Sequence, residues 1–271
     1  MIEVEVDDGL KRDPPKSNTN SQIKVLSAQD IQGINAQTTA DMLEATGSVL
    51  VQKSQAGGGS PVIRGFEANR ILLVVDGVRM NNAIYRLGHL QNAITIDNNV
   101  LSSTDIYFGP GSVIYGSDAL GGVVHFHTKN PRFKNEKYRG FGAGGMARYN
   151  TANQEKTGHF HFELGGKKWA YLASITGSSF GNVRMGENRP HGYSEFGKMP
   201  VFAKRIDGVD SAMVNPDPNV QVGTNYEQYD LLQKIRFQAT EDFCLTLNTQ
   251  YSTSSNVGRF DRLNDTIGGV P

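Results

Sequence analysis

Strict alternation of apolar and polar residues in the second half of the chain constrains the fold more than any other feature. In the segment HFHFEL at residues 159–164, every second side chain is apolar, and residues 229–239 and 243–251 repeat the pattern. Because successive side chains of a strand point to opposite faces, these segments are strands with one apolar and one polar face. A soluble sandwich and a transmembrane barrel share this period, so alternation alone leaves both open.

The connections between these strands favour the barrel. Tight turns are predicted at residues 165–168 and 240–242. Residues 177–226, a polar stretch with four prolines, are predicted to form a long loop. Short turns at one rim and long loops at the other are typical of outer-membrane barrels. About five strands can be counted, too few to close a barrel around a second domain. We therefore expect the chain to be the N-terminal piece of a longer protein.

Composition excludes several other classes. The chain has 271 residues with 27 basic and 27 acidic side chains, so no basic excess favours a nucleic-acid partner. No apolar run approaches the ~20 residues of a membrane helix. The single cysteine, Cys244, excludes an internal disulfide and a cysteine-based zinc site. The N-terminus lacks the pattern of a signal peptide, which leaves a cytoplasmic protein or a chain without its export signal.

The first half of the chain follows different rules. Only six aromatic residues precede Arg132, whereas eighteen follow it, so we place a domain boundary near Pro131. Residues 1–20 read as a flexible leader. The following elements are short: helices beginning at Ser27 and Thr38, and strands predicted at 23–26, 49–53, 71–75, 105–108 and 123–128. This pattern indicates a small α+β domain.

Motifs of enzymes are absent from the sequence. No P-loop, dinucleotide fingerprint, nucleophile elbow or zinc-protease motif occurs, so we expect no enzyme and no catalytic residues. Two histidine pairs, at 125 and 127 and at 159 and 161, each share a strand face. Metal ligation needs three or four converging groups, so solvated or hydrogen-bonded histidines are the favoured reading and no metal site is predicted.

Three blocks in the first half carry a resemblance to a known family. They are PVIRG at 61–65, VVDGVR at 74–79 and GPGSVIYGSDALGGVV at 109–124. In this order and spacing they closely resemble the plug domain of TonB-dependent outer-membrane receptors. The fold class that the resemblance implies is an α+β plug domain followed by antiparallel transmembrane β-barrel strands, a fragment of a 22-stranded plugged barrel. The domains would then be a leader at 1–20, the plug at 21–131 and the first barrel strands at 132–271.

The motif residues of the plug have a physical rationale. Gly65 and Gly77 allow tight turns at strand ends, and Gly121 and Gly122 let a strand start close to neighbouring backbone. The resemblance implies that plug arginines dock on barrel carboxylates, although a purely architectural role stays open for all of these residues. The full set is Arg64, Gly65, Asp76, Gly77, Gly109, Pro110, Gly111, Tyr115, Gly116, Gly121 and Gly122.

The sequence departs from the family pattern at several positions. Phe108 stands where the family commonly has Arg, Asp105 where it has Glu, and His125 where a polar residue of the Asn type is usual. A clear box for contacting TonB is missing, since residues 2–6 are at best a degenerate version. Energy coupling is therefore implied by the plug rather than by a motif of its own.

The resemblance implies a receptor of the Gram-negative outer membrane that imports a scarce ligand with inner-membrane energy. Its partners would be the TonB–ExbB–ExbD complex, outer-membrane lipid and a small metal-containing ligand, with no nucleic acid and no resident cofactor. The haem/haemoglobin and cobalamin branches look nearest, and iron-siderophore receptors share much of the pattern. Two alternatives stay open: a non-transporting outer-membrane binding protein or adhesin, and a soluble secreted β protein with an unrelated N-terminal domain.

Residues 79–91 are the predicted ligand-binding loop at the plug apex. This stretch follows the turn after the strand at 71–75 and has no strand or helix period. Loops on rigid frameworks often carry binding, and imidazole, phenol and guanidinium groups can ligate iron or clamp anions. A plug loop that only packs on the barrel wall is the alternative. The candidate residues are Arg79, Asn81, Tyr85, Arg86 and His89.

Overall fold

A mixed sheet with two short helices forms the N-terminal domain. The computed structural model describes residues 22–53, 56–67, 70–80, 93–109, 115–116, 119–136, 138–188, 192–207 and 209–258. The predicted leader, including the degenerate box at 2–6, lies outside these ranges. The elements in chain order are β1 (Gln22–Ser27), α1 (Ala28–Ile34), α2 (Thr39–Ala45), β2 (Leu50–Gln52), β3 (Ser60–Val62), β4 (Ile71–Val75), β5 (Val78–Arg79), β6 (Leu101–Phe108) and β7 (Gly122–Thr128).

Both helices begin where the sequence predicts. Ser27 and Thr38 are N-caps whose hydroxyl groups accept hydrogen bonds from the backbone N–H of Asp30 and Asp41. Each aspartate side chain in turn accepts from the cap backbone, which completes a capping box. The second helix ends at Ala45, just before Gly47 at a φ of +67°.

The sheet of this domain has the order β1-β6-β7-β4-β5. Strands β4 and β7 are parallel, and the other neighbours are antiparallel. All five residues of β4 are buried because both faces of the strand are covered, which explains its uninterrupted apolar sequence. The main apolar core lies between this sheet and the two helices and includes Met42, Leu43, Ile71, Leu73, Ile106 and Phe126.

The second half of the chain forms an antiparallel meander with a folded insertion. Its elements are β8 (Phe141–Asn150), β9 (Glu155–Gly165), β10 (Trp169–Phe180), β11 (Val183–Arg184), β12 (Val201–Ile206), β13 (Val209–Val214), β14 (Val220–Gln221), β15 (Tyr226–Gln238) and β16 (Cys244–Ser254). Five of them form one sheet in the order β16-β15-β10-β9-β8. Among the described residues, the edge strands β8 and β16 do not pair with each other. This architecture confirms the predicted fold class, whereas the proposed domain limits stay a prediction.

The five-stranded sheet is apolar outside and polar inside. On β9, Phe160 is 52% exposed, whereas Glu155 on the opposite face is fully buried. Lys234 on β15 is buried beneath the N-terminal domain, and Tyr229 on the same strand is exposed. The N-terminal domain therefore covers the polar face and leaves the apolar face open, which is the arrangement of a transmembrane barrel wall. None of the helices in the described ranges has the length and apolar character needed to cross a membrane.

The connection between β10 and β15 is more ordered than the sequence predicts. The prediction of one long loop over 177–226 was wrong, because β10 continues to Phe180 and β15 begins at Tyr226. Between them, β12 and β13 form a small hairpin, and β11 pairs with β14. The Asn182 side-chain carbonyl helps to close this connection by accepting hydrogen bonds from three consecutive backbone N–H groups, at 223–225. We call residues 181–225 the outer segment.

Candidate functional site

The contact between the N-terminal domain and the inner face of the sheet is the candidate functional site. Its two ends are named here by the connections of the strands. The outer end adjoins the outer segment, and the turn end adjoins the tight turns at 166–168 and 239–243. Along this contact, polar side chains of the sheet meet polar groups of the domain.

At the outer end, Arg148 of β8 holds the backbone after α1. Its Nε donates to Glu155 Oε1 at 2.7 Å, and its two terminal nitrogens donate to the carbonyl oxygens of Ala36 (2.9 Å) and Gln37 (3.2 Å). The Gln37 side chain also makes a reciprocal amide pair with Asn153, at 3.1 and 2.9 Å. Arg148 and Glu155 are almost completely buried, so this is a desolvated, charge-assisted contact.

Between the two ends, a hydrogen-bonded chain crosses from the domain to the sheet. Thr176 on β10 donates to Asp97, and His159 Nδ1 lies 2.7 Å from the same hydroxyl oxygen. His159 Nε2 lies 3.1 Å from His161 Nδ1. Asp97 Oδ1 is fixed by the backbone N–H of Asn99 at 2.9 Å. These histidines are therefore hydrogen-bonded interface residues, in line with the favoured sequence interpretation.

Two inward-facing glycines make room for this polar ladder. Gly144 and Gly142 on β8 stand opposite His161 and Glu163 on β9. A Cβ atom at Gly144 would lie 2.7 Å from His161 Cε1, and one at Gly142 would lie 2.8 Å from Glu163 Oε1. The sequence analysis missed these glycines. The pattern that could have revealed them is a pair of glycines, two residues apart, on the strand that precedes the His-Glu face.

Among the described residues, at least three cavities lie along the contact, of about 330, 280 and 350 Å³. The first, of about 330 Å³, is lined by residues that include Gln32, Asn35, Lys129, Arg148, His159 and His161. The second, of about 280 Å³, has both domain and sheet residues around it, among them Met80, Thr95, Asp97, Asp230, Gln250 and Ser252. Burial lowers the pKa of the Lys129 ammonium, and the Asp97 carboxylate opposes this shift. Within the described ranges, no cluster of three or more His, Cys, Asp or Glu is placed to hold a metal.

Two of the predicted motif residues form the turn between β4 and β5. Asp76 and Gly77 have φ angles of +48° and +87°. The Gly77 backbone N–H donates to His125 Nε2 at 3.1 Å. The Asp76 carboxylate accepts a hydrogen bond from the Thr128 backbone N–H at 2.8 Å. It also contacts the side chains of Lys234 and Asn248 on the sheet. The side chain of this turn residue thus points to both the domain and the sheet.

The predicted arginines have plug partners among the described residues. Arg64 Nη2 donates to Gln22 Oε1 at 2.8 Å, and its guanidinium lies 5.7 Å from the centroid of the Phe108 ring. Arg79 packs beside Gly116, where a Cβ atom would lie 3.0 Å from Nη1. Docking of these arginines on barrel carboxylates stays a prediction.

The remaining motif residues mark close approaches and turns. A Cβ atom at Gly122 would lie 2.7 Å from the Tyr107 carbonyl oxygen, and one at Gly121 would overlap Phe66. Gly65, Gly109 and Gly116 adopt positive φ angles. The Tyr115 hydroxyl lies 3.3 Å from His125 Nδ1. Pro110 and Gly111 lie outside the described residues.

Four of the five predicted ligand-binding residues, Asn81, Tyr85, Arg86 and His89, also lie outside the described residues. The flanking positions are described: Met80 and Thr95 line the second cavity together with side chains of β15 and β16. Ligand binding by this loop stays a prediction.

Comparisons with known proteins agree with this arrangement. Residues 15–123 match the family described as the TonB-dependent Receptor Plug Domain. The vitamin B12 transporter BtuB of Vibrio vulnificus strain CMCP6 is 31% identical over 135 residues, which are 49% of this chain and 22% of the relative. BtuB of strain YJ016 is 26% identical over 274 residues, covering 94% of this chain and 41% of the relative.

Solved structures give the same fold. The Serratia marcescens hemophore receptor HasR, in complex with HasA and heme, superposes with a TM-score of 0.66 at 20% identity. The match covers 86% of this chain and 31% of HasR. The ferric-catecholate import receptor Fiu of E. coli K12 has a TM-score of 0.56 at 18% identity, covering 88% of this chain and 28% of Fiu.

The domain and the sheet are thus a plug and the wall strands of the barrel around it. The chain is similar to the TonB-dependent receptors, which are outer-membrane β-barrel proteins of Gram-negative bacteria, and residues 15–123 match their plug-domain family, which confirms the resemblance seen in the sequence. It spans 22% and 41% of the length of the two curated relatives. From here the N-terminal domain is called the plug and the five-stranded sheet the wall.

Proposed function

We propose that this chain works in an active importer of the outer membrane, which takes up a scarce metal chelate with energy from the TonB–ExbB–ExbD complex. The observation that carries the proposal is the plug seated on the polar inner face of a wall whose outer face is apolar. A plug that closes a lumen can be displaced to open one, and no catalytic residue takes part in this.

The relatives support the choice of ligand class. Both curated relatives are vitamin B12 transporters, and one of them aligns with 94% of this chain. The solved neighbours include siderophore receptors and a hemophore receptor. A corrinoid is therefore the first candidate, and haem and ferric siderophores come next.

Uptake by whole cells tests the proposal. The protein is expressed from its own gene in an outer-membrane host that lacks its own receptors, and labelled cyanocobalamin, haemin and a ferric catecholate are offered in turn. We expect one of the three to accumulate, and deletion of TonB to abolish the accumulation. Absence of binding to all three would overturn the ligand class. Binding without TonB-dependent uptake would overturn import and favour the non-transporting binding protein.

The apex loop can be tested in the same cells. We propose that Tyr85 and His89 contact the ligand, and we expect the double variant Tyr85→Ala with His89→Ala to lose affinity at least ~10-fold. Tyr193→Ala is the matched control, because this aromatic side chain is 72% exposed on the outer segment. Unchanged affinity of the double variant at normal surface level would contradict the apex assignment.

A further inference from the structure

One plug carboxylate bridges two neighbouring strands of the wall. Asp76 Oδ2 accepts a hydrogen bond from Asn248 Nδ2 at 2.8 Å and lies 2.9 Å from Lys234 Nζ. Lys234 and Asn248 are direct cross-strand partners on β15 and β16. A single plug group therefore holds a pair of inner-face side chains that already stand side by side.

Lys234 is buried to a degree that is unusual for lysine. Its side chain is only 2% exposed, and a buried ammonium is tolerated only when it is paired. Besides Asp76, its Nζ donates to Asn130 Oδ1 at 3.0 Å and to the Thr128 carbonyl oxygen at 3.4 Å. All three acceptors belong to the plug or to its link to the wall, so the plug supplies the partners of this wall cation.

The Asp76 carboxylate is held in place from the plug side. The backbone N–H of Asp76 donates to the Phe126 carbonyl oxygen at 2.9 Å. The Thr128 backbone N–H donates to Oδ1 at 2.8 Å, and the Thr128 hydroxyl donates to Oδ2 at 2.6 Å. The side chain of Asp76 thus continues the hydrogen bonding between β4 and β7 beyond the last residue of β4. A charge oriented in this way is ready to pair with little further loss of side-chain freedom.

We propose that Asp76, Lys234 and Asn248 form a latch that holds the β4–β7 part of the plug against the wall. The charges are placed the other way round from the arginine docking expected from the sequence, because here the acid lies on the plug and the base on the wall. Any displacement of this part of the plug must separate a buried ion pair and leave Lys234 without its partners. Only the use of the latch during ligand uptake rests on the proposed function; the seating of the plug does not.

Cysteine accessibility measures the latch directly. The receptor is expressed from its own gene with Cys244→Ser, and Ser174→Cys is added as a reporter. Ser174 lies on β10 and is 3% exposed, so a membrane-impermeant maleimide reaches it only when the plug moves. Asp76→Asn is the main variant, because Asn adopts the observed φ of +48° as readily as Asp and removes the charge together with one of the two acceptor oxygens. We expect labelling to be at least ~10-fold faster than in the parent receptor.

A double-mutant cycle separates a latch from general loosening. Lys234→Met should accelerate labelling about as much as Asp76→Asn. The double variant should equal either single variant rather than multiply their effects, because both remove the same interaction. Lys234→Arg keeps the charge and should label at nearly the parent rate. Multiplied effects, or parent-like labelling of both single variants, would overturn the latch.

Two further variants keep the result interpretable. Lys53→Met breaks the two ion pairs that Lys53 makes with Asp41 and Glu44 on the plug surface, away from the latch. It should leave labelling unchanged. If Asp76→Asn does not reach the membrane, Asn248→Ala carries the test. It removes one hydrogen bond and should accelerate labelling ~2–3-fold, and parent-like labelling would overturn the latch. Labelling needs no ligand, so a failure of uptake in the parent receptor counts against the proposed function alone.

Discussion

The plug core and the wall are built by opposite rules of burial. In the plug, apolar side chains such as Leu73, Ile106 and Phe126 are buried. In the wall, the buried face carries Glu155 and Lys234, and large apolar side chains face outward. The difference follows from the surroundings, since water excludes apolar groups from the plug surface and lipid accepts them on the wall. One chain therefore carries two incompatible surface patterns, joined where polar faces meet.

The contact between these two regions resembles a protein–protein interface more than a shared core. Among the described residues, a small apolar cluster bridges it, formed by Val100 of the plug with Leu172 and Leu232 of the wall. Hydrogen bonds and ion pairs make most of the other contacts described above. Water can take the place of the uncharged partners at modest cost, so a shift of the plug along the wall exposes little apolar surface and is opposed mainly by the buried ion pairs.

The largest expected effect is in the plug core. Phe126→Ala removes a fully buried aromatic ring and should lower the free energy of unfolding of the plug by about 3–5 kcal/mol. Phe160→Ala removes an outward-facing ring from the wall and should change the free energy of unfolding of the plug by only about 0.5 kcal/mol. Protease susceptibility of the plug in detergent-solubilised receptor, followed against denaturant, measures both. Equal losses would break the contrast between the two regions.

Charge substitutions sharpen the assignment of the two wall faces. Leu247→Arg puts a charge on the outward face of β16 and should cost about 2–4 kcal/mol near the bilayer midplane. Gln250→Arg, on the inner face of the same strand, points to the cavity beside Asp97 and Asp230 and should be tolerated. Refolding into lipid vesicles gives the free energy of folding of each variant. A larger cost for Gln250→Arg than for Leu247→Arg would contradict the assignment of the two faces.

A smaller effect is expected where the inner face is crowded. Gly144→Val would drive a side chain into His161 and should destabilise the assembled receptor by about 1–3 kcal/mol. Ala147→Val on the exposed face of β8 adds the same kind of bulk toward the outside and serves as the control. Thermal unfolding of both variants in detergent gives the comparison, and a larger loss for Ala147→Val would refute the steric account.

The smallest effect concerns the outer segment and pH. The backbone N–H of Asn219 donates to Asp217, and Arg184 lies beside it, and together they lower the pKa of this carboxyl. A carboxyl with a depressed folded pKa stabilises above its unfolded pKa and loses this contribution as pH falls through the folded value. We therefore expect local order near Asp217 to decrease only in acid below the ordinary aspartate range. Amide exchange at Asn219 against pH measures this, with Asp217→Asn as the pH-insensitive reference.

Local features of the chain could be predicted from the sequence. The capped starts at Ser27 and Thr38, the buried strand at 71–75 and the two faces of the wall follow from capping chemistry and periodicity, which act over a few residues. The outer segment was misjudged because its strands are only two to six residues long and lie among prolines and polar residues.

The contacts of the candidate site could not be predicted in the same way. Arg148 reaches backbone 112 positions earlier, and Asn248 reaches Asp76 over 172 positions. Such pairs depend on how the plug is rotated within the wall, which no local pattern specifies. The sequence identified Asp76 as a turn residue, and its second role as a bridge between strands depends on that rotation.

The burial of Lys234 also constrains the order of assembly. Strand β15 carries a cation whose partners Asp76, Thr128 and Asn130 come from chain synthesised earlier, with separations of 106 and 104 residues to the latter two. Contacts over such distances form late in folding, after the loop-closure entropy has been spent. A wall that closed first would trap an unpaired charge in its lumen. We therefore expect folding of the plug and closure of the wall around it to be coupled.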